Sequence, residues 1–76
     1  MNLQIQFGKR VRQLRLEQGL SQEALAFKAE INRTYMTSVE NRKRNVSVQN
    51  IEKIINALEI SIQDFFQQIF LRGKDD

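Results

Sequence analysis

Four short segments of this sequence repeat one pattern: an apolar residue precedes a Ser or Asn, and a second apolar residue follows that polar residue by four positions. Such a polar residue caps the free backbone N–H groups at the start of a helix, and the two apolar side chains pack together as a hydrophobic staple. One match can arise by chance, but four in succession along 76 residues predict four helix starts. The segments are Leu20-Ser21…Leu25, Ile31-Asn32…Met36, Val46-Ser47…Ile51 and Ile60-Ser61…Phe65.

A further helix precedes the first of these caps. From Leu3 to Gln18, apolar residues recur every three or four positions, and Gly19 ends the helix because glycine adopts the left-handed conformation without strain. The other four helices are predicted at 22–29, 33–40, 48–59 and 62–71. Nothing alternates with the period of a strand beyond the first few residues, so we expect one compact, all-α, five-helix domain over 1–76. In the first helix, Leu3, Phe7, Val11 and Leu14 share the inner face, and Lys9, Arg10 and Arg12 are expected to point outward.

Several function classes lack the residues that they require. The chain has no Cys and no His, which excludes disulfides, thiolate chemistry, ordinary zinc sites and catalytic triads that use histidine. No Gly-rich phosphate loop and no carboxylate cluster is visible, so we expect neither a cofactor nor enzymatic activity. No targeting or membrane-spanning segment is predicted either, and we expect a cytoplasmic, bacterial protein.

The charge of the chain is unevenly distributed. Residues 1–46 carry nine basic and four acidic side chains, a net charge of +5, whereas residues 47–76 carry three basic and five acidic ones, a net charge of −2. A basic half is typical of proteins that bind a polyanion or an anionic membrane. Since the apolar face of the first helix is needed inside the domain, we favour a polyanion over a membrane surface.

The second and third helices are predicted to form a helix-turn-helix unit at about residues 21–40. Both are short and only about three residues separate them, so a steep crossing is favoured over an antiparallel hairpin. We expect Leu25, Ala26 and Ala29 to meet Met36 and Val39, with Ala26 allowing a close approach.

With its apolar face packed, the third helix leaves a polar face exposed at its N-terminal end, where such helices enter the major groove of DNA. Arg33 is the best candidate for a bidentate contact to guanine, and Thr34 or Thr37 can touch a thymine methyl group or a phosphate. The predicted base-reading residues are Arg33, Thr34, Thr37 and Ser38. The predicted contacts to the DNA backbone are Ser21, Gln22, Asn32, Tyr35, Arg42, Lys43 and Arg44.

The stretch from Leu20 to Asn41 resembles the phage lambda repressor-like helix-turn-helix family, also called the Xre family. Within it, the Asn32-Arg33-Thr34-Tyr35 segment and the small size are similar to the controller proteins of restriction–modification systems. The resemblance implies a five-helix fold, a homodimer, and a pseudo-palindromic operator in a restriction–modification operon that includes the protein's own gene. It also implies that Gln22 holds a phosphate, that Glu40 has a structural role, and that RNA polymerase is a further partner. Whether the protein activates or represses stays open.

One residue departs from that family's pattern. Glu30 occupies a turn position often held by glycine, so a left-handed backbone there is mildly strained. The alternative is another turn conformation, which would change the tilt of the third helix.

The fifth helix, at about 61–71, is predicted to form the dimer interface. Phe65 and Phe66 lie about 100° apart on a helix, so one narrow stripe cannot bury all five of its large apolar side chains. We expect Phe65 and Ile69 to face inward and Phe66, Ile62 or Phe70 to meet a symmetry mate. The alternative is that all five side chains cover the core of the first and fourth helices. The full set of candidate interface residues also includes Ile69: Ile62, Phe66, Ile69 and Phe70. The alternative function is an antitoxin or another protein-interaction module built on the same fold.

Overall fold

The computed structural model describes residues 2–41 and 44–73, and five α-helices make up the fold of this part of the chain. This confirms the predicted all-α class and the number of helices. The bounds of α2 and α3 agree with the prediction, whereas α1 ends at Glu17, α4 ends two residues early, and α5 extends to Gly73. The helices are α1 (Leu3–Glu17), α2 (Gln22–Ala29), α3 (Arg33–Glu40), α4 (Val48–Ala57) and α5 (Ile62–Gly73).

All four predicted helix caps form. Ser21, Ser47 and Ser61 each accept a hydrogen bond from the backbone N–H three residues later, at 3.0, 3.2 and 3.0 Å. Asn32 accepts one from the N–H of Thr34 at 2.7 Å. Asn2 caps α1 in the same way, at 3.1 Å from the Ile5 nitrogen, and this cap was not predicted.

Three helices end in the same left-handed turn. After α1 the left-handed residue is Gly19, but after α2 and α4 it is Glu30 (φ 57°) and Glu59 (φ 56°). In each case the next backbone N–H closes the turn onto the carbonyl five residues earlier, as in the bond from Ile31 to Ala26 at 2.9 Å. A non-glycine residue in this conformation costs about 1–2 kcal/mol. Glu30 therefore keeps the turn that glycine often forms, and α4 ends earlier than predicted because Glu59 adopts that turn without a glycine to signal it.

The core brings all five helices together. The expected contact between α2 and α3 is confirmed, since Leu25, Ala26 and Ala29 lie in one buried cluster with Met36 and Val39. The other buried hydrophobic members are Phe7, Val11, Leu14, Ile54, Ile55, Ala57, Leu58, Phe65 and Ile69.

Three predicted side-chain placements are wrong. Arg10 is buried instead of facing outward, because its guanidinium donates to the carbonyls of Phe65 at 3.1 Å and Asp64 at 3.3 Å and thereby ties α1 to α5. Leu3 is 49% exposed, since it lies one turn beyond the buried part of α1. Ile69 is only 3% exposed, which confirms that it faces the core and contradicts its inclusion among the candidate interface residues.

Among the described residues, no helix has the length and apolar character that crossing a bilayer requires.

Candidate nucleic-acid interface

The two faces of α3 have opposite character. Met36 and Val39 are almost fully buried against α2 and α1, which fixes the rotation of the helix about its axis. As a result, Arg33 and Thr34 are exposed, and Thr37 and Ser38 are half-buried at the edge of the same surface. The structure thus brings the four predicted base-reading residues together on one side of α3.

A buried ion pair anchors the C-terminal end of α3. The guanidinium of Arg15 donates two parallel hydrogen bonds to the Glu40 carboxylate, at 2.7 and 2.9 Å, and a third to the Leu20 carbonyl at 2.8 Å. Arg15 is 7% and Glu40 is 4% exposed, so water screens the pair weakly. The hydrogen bond from Arg15 to the Glu40 carboxylate raises the pKa of the guanidinium above its ordinary value, against the opposing effect of burial.

This geometry gives Glu40 the structural role that the family resemblance implies. Because Arg15 lies on α1 and Glu40 on α3, the pair holds the exposed face of α3 at a fixed angle to the rest of the domain. This role of Arg15 was not predicted, although a basic residue at the polar edge of an amphipathic helix is a signal that could have indicated it.

Gln22 and Thr37 extend this network toward the surface. The Gln22 amide nitrogen donates to Glu40 at 3.1 Å, and the Thr37 hydroxyl donates to the Gln22 amide oxygen at 2.9 Å. Ser38 donates instead to the Thr34 carbonyl within α3, at 3.1 Å. Gln22 therefore links the start of α2 to both the anchor and the polar face of α3, and its role in holding a phosphate stays a prediction.

The predicted guanine reader has an acidic neighbour that sequence reasoning missed. The Arg33 guanidinium lies 3.7 Å from the Glu23 carboxylate, and both side chains are more than two-thirds exposed. An exposed pair of this kind contributes little to stability, about 0–1 kcal/mol. The pair does place the Arg33 guanidinium beside the first turn of α2, where Glu23 lies. A DNA base can displace the Glu23 carboxylate from Arg33.

Apart from Gln22, the predicted phosphate contacts fall into three groups. Arg44 lies over the ring of Tyr35, with 4.7 Å between the guanidinium carbon and the ring centroid, so one cation is held beside α3. Ser21 and Asn32 use their side-chain oxygens as helix caps, at the starts of α2 and α3. Arg42 and Lys43 lie outside the described residues, and their contacts to the DNA backbone remain predictions.

A second surface, apolar, lies where the start of α1 meets α5. Ile62 and Phe70 are 57% and 52% exposed there, and Leu3 borders the same groove. Phe66 is half-buried between them, with its ring 5.0 Å from that of Phe65 and 6.3 Å from that of Phe70. We call Leu3, Ile62, Phe66 and Phe70 the apolar patch. Three of these residues were predicted for the dimer interface; Leu3 was missed because it was assigned to the core.

The described residues contain no group of three or more carboxylates, cysteines or histidines that could hold a metal ion.

Comparison with known proteins agrees with this geometry. Residues 11–65 match the family model HTH_3, described as helix-turn-helix. The control protein C.BamHI of Bacillus amyloliquefaciens is 47% identical over 64 residues, covering 83% of this chain and 79% of that protein. The control protein C.MunI of a Mycoplasma species is 44% identical over 69 residues, covering 90% of this chain and 93% of that protein.

Crystal structures of similar proteins share the fold. The restriction–modification controller protein C.Esp1396I, crystallised as a tetramer in complex with its natural 35 base-pair operator, superposes with a TM-score of 0.87 at 33% identity, covering 92% of each chain. The controller protein C.AhdI from Aeromonas hydrophila has a TM-score of 0.81 at 44% identity, covering 87% of this chain and 100% of that one.

Proposed function

The chain belongs to the HTH_3 helix-turn-helix family, and from this membership we propose that it is a transcriptional regulator that binds a pseudo-palindromic double-stranded operator as a homodimer. In this function α3 enters the major groove and presents Arg33, Thr34, Thr37 and Ser38 to the base edges. The start of α2, together with Tyr35, Arg44 and the adjoining basic residues, lies along the phosphates.

The observation that carries this proposal is the exposed polar face of α3, a helix whose orientation is fixed by buried contacts. Reading bases requires side chains held in a fixed orientation, because hydrogen bonds to base edges depend steeply on distance and angle. The buried pair of Arg15 and Glu40 and the packing of Met36 supply that rigidity. The operator complex of the similar controller protein C.Esp1396I favours this function over an interaction module without a DNA ligand.

The apolar patch supports the homodimer. To occupy successive major grooves, a homodimer joined through α5 and the start of α1 has to hold its two α3 helices about one DNA turn, roughly 34 Å, apart. Gln63 and Gln67 border the same groove and can supply the polar rim of such an interface.

Similarity to C.BamHI and C.MunI supports the narrower proposal that the operator controls a restriction–modification operon that includes this protein's own gene. The proposal assigns no catalytic step to the chain. It places the protein on the bacterial nucleoid through its bound DNA. RNA polymerase is then a further partner, which the protein either blocks or contacts from an operator beside a promoter.

Arg33→Ala tests the assignment of base reading to α3. For the wild type we expect operator DNA to bind at least about 10³-fold more tightly than random DNA of equal length at equal salt concentration. The variant is expected to lose about 1–3 kcal/mol on the operator, because a bidentate base contact disappears. On random DNA the loss is expected to be much smaller. Fluorescence anisotropy titrations on both DNAs measure the two losses.

Glu23→Ala is the matched control for that variant, since it removes the other member of the same exposed pair. We expect it to bind both DNAs as tightly as the wild type or more tightly, because a negative charge next to the groove is lost. Equal losses on operator and random DNA for Arg33→Ala would move Arg33 from the base-reading to the phosphate-contacting residues. A wild type that does not distinguish the two DNAs would contradict the proposed function.

A further inference from the structure

The hydroxyl of Thr37 has a fixed hydrogen-bonding direction. Its oxygen lies 2.9 Å from the amide oxygen of Gln22. An amide oxygen carries no hydrogen, so the single hydroxyl proton of Thr37 must lie between the two atoms. Toward any other partner the Thr37 oxygen can then only accept a hydrogen bond.

The orientation of the Gln22 amide, on which this depends, is set by the buried anchor. Its nitrogen faces Glu40 at 3.1 Å, and Arg15 holds that carboxylate at 2.7 and 2.9 Å. A carboxylate accepts hydrogen bonds only, so a flipped amide would place two acceptors against each other at the half-buried edge of the network. The order of donors and acceptors therefore runs in one direction, from the Thr37 hydroxyl through Gln22 to Glu40.

The neighbouring hydroxyl is not fixed in this way. Ser38 donates to the Thr34 carbonyl on its own helix, at 3.1 Å. This side-chain hydrogen bond is made in addition to the backbone hydrogen bonds of the helix. The serine hydroxyl can therefore rotate and exchange it for a hydrogen bond to a ligand at little cost. Of these two adjacent hydroxyls, only that of Thr37 has its hydrogen-bonding direction set by the fold.

We propose that Thr37 is a specificity-determining residue that is locked as a hydrogen-bond acceptor toward DNA and so rejects guanine at the base it faces. This inference rests on the proposed function, since it assumes that α3 lies in the major groove. There, adenine and cytosine present amino groups that Thr37 can accept from, and thymine presents a methyl group that the Thr37 methyl can contact. Guanine presents only the acceptors N7 and O6, which need a donor.

The α3 surface then presents a hydrogen-bond donor and a hydrogen-bond acceptor at defined positions. Arg33, which can only donate, suits guanine near the start of the helix, and Thr37, one turn later, excludes it. Gln22 and Glu40 act as positioning residues, because they set the direction of the Thr37 proton without touching the base.

The test is selection of bound DNA from a random pool, followed by sequencing, with the wild type and two variants. Thr37→Val keeps the shape and removes the hydroxyl, so the position whose base preference changes is the one that Thr37 faces. There we expect the wild type to disfavour guanine against adenine or cytosine by about three- to tenfold, the range of one net hydrogen bond. Gln22→Ala releases the Thr37 proton, and we expect the bias against guanine at that same position to fall to within about twofold.

Gln18→Ala is the control, since Gln18 also makes one side-chain hydrogen bond, to the Leu58 carbonyl at 2.7 Å, but between α1 and the end of α4. It should leave the base preferences unchanged. A uniform loss of affinity in Gln22→Ala does not bear on the inference, because only the preference at one position is compared. Thermal unfolding checks that each variant is folded, and Thr37→Val remains informative if Gln22→Ala is not.

Three results would overturn the inference: guanine favoured by the wild type at the position that Thr37→Val identifies, an unchanged bias against guanine in folded Gln22→Ala, or no position that responds to Thr37→Val. A wild type that enriches no common sequence would instead refute the proposed function, so the two failures are distinguishable.

Discussion

Glu40→Ala is expected to lower the free energy of unfolding by about 3–5 kcal/mol, because it leaves the buried guanidinium of Arg15 without its counter-charge. A domain of this size has a total stability of roughly 0.05–0.15 kcal/mol per residue, so the loss would consume much of it. The variant also removes the carboxylate that accepts a hydrogen bond from the Gln22 amide, and with it the ion pair that holds α3 against α1. Urea unfolding followed by circular dichroism, at one fixed protein concentration, measures the difference.

Two further variants isolate the effect of burial. Glu23→Ala breaks an ion pair that is exposed, and we expect it to cost less than about 1 kcal/mol. Arg15→Ala is expected to be costly in the wild-type background but to cost much less in the Glu40→Ala background, since the two residues act as one unit. A loss below about 1 kcal/mol for Glu40→Ala, or additive losses in the double variant, would show that the pair does not anchor α3.

Phe70→Asp is expected to yield a folded monomer with operator affinity lower by about 10²–10⁴-fold. In a dimer, binding of one copy holds the other at a high effective concentration near the second half-site, and a monomer loses this advantage. Phe70 is 52% exposed in the single chain, so a charge there disrupts a contact between copies more than it disrupts the core. Ile62→Asp, at 57% exposure, is expected to act in the same way. Sedimentation at micromolar concentration gives the oligomeric state, and titration with operator DNA gives the affinity.

Phe66 is a poorer choice for this experiment, although it is the central aromatic residue of the apolar patch. The centroid of its ring lies 5.0 Å from the ring centroid of Phe65 and 6.4 Å from that of Phe7, so an aspartate there also disrupts the core. Leu16→Asp is the matched control, since Leu16 is 56% exposed at the opposite end of α1 from Leu3. It should remain dimeric. A wild type that is monomeric at micromolar concentration, or a dimer that survives both Phe70→Asp and Ile62→Asp, would contradict the assigned interface.

The helix starts could be predicted from the sequence because each is encoded locally. A cap and its staple lie within six residues, and they depend little on the rest of the chain. The end of α4 was harder to place, because Glu59 adopts the left-handed conformation without a glycine to mark it.

The pairings that were missed join residues distant in the sequence. Arg15 and Glu40 are 25 residues apart, and Arg10 and Phe65 are 55 apart, so neither pairing follows from a helical period. A period does predict which face a side chain lies on, as it did for Met36 and Val39. It cannot predict that Arg10 fits under the start of α5, or that Leu3 extends past it into the apolar patch.

Selection of bound DNA from a random pool with the wild-type protein tests the central claim most directly. The claim is that two copies of the chain present two α3 helices to successive major grooves. It predicts an enriched inverted repeat whose half-site centres are separated by about one turn, roughly 10 base pairs, or by a small multiple of that distance. Enrichment of a single half-site without a repeat, or of no common sequence at all, would contradict it.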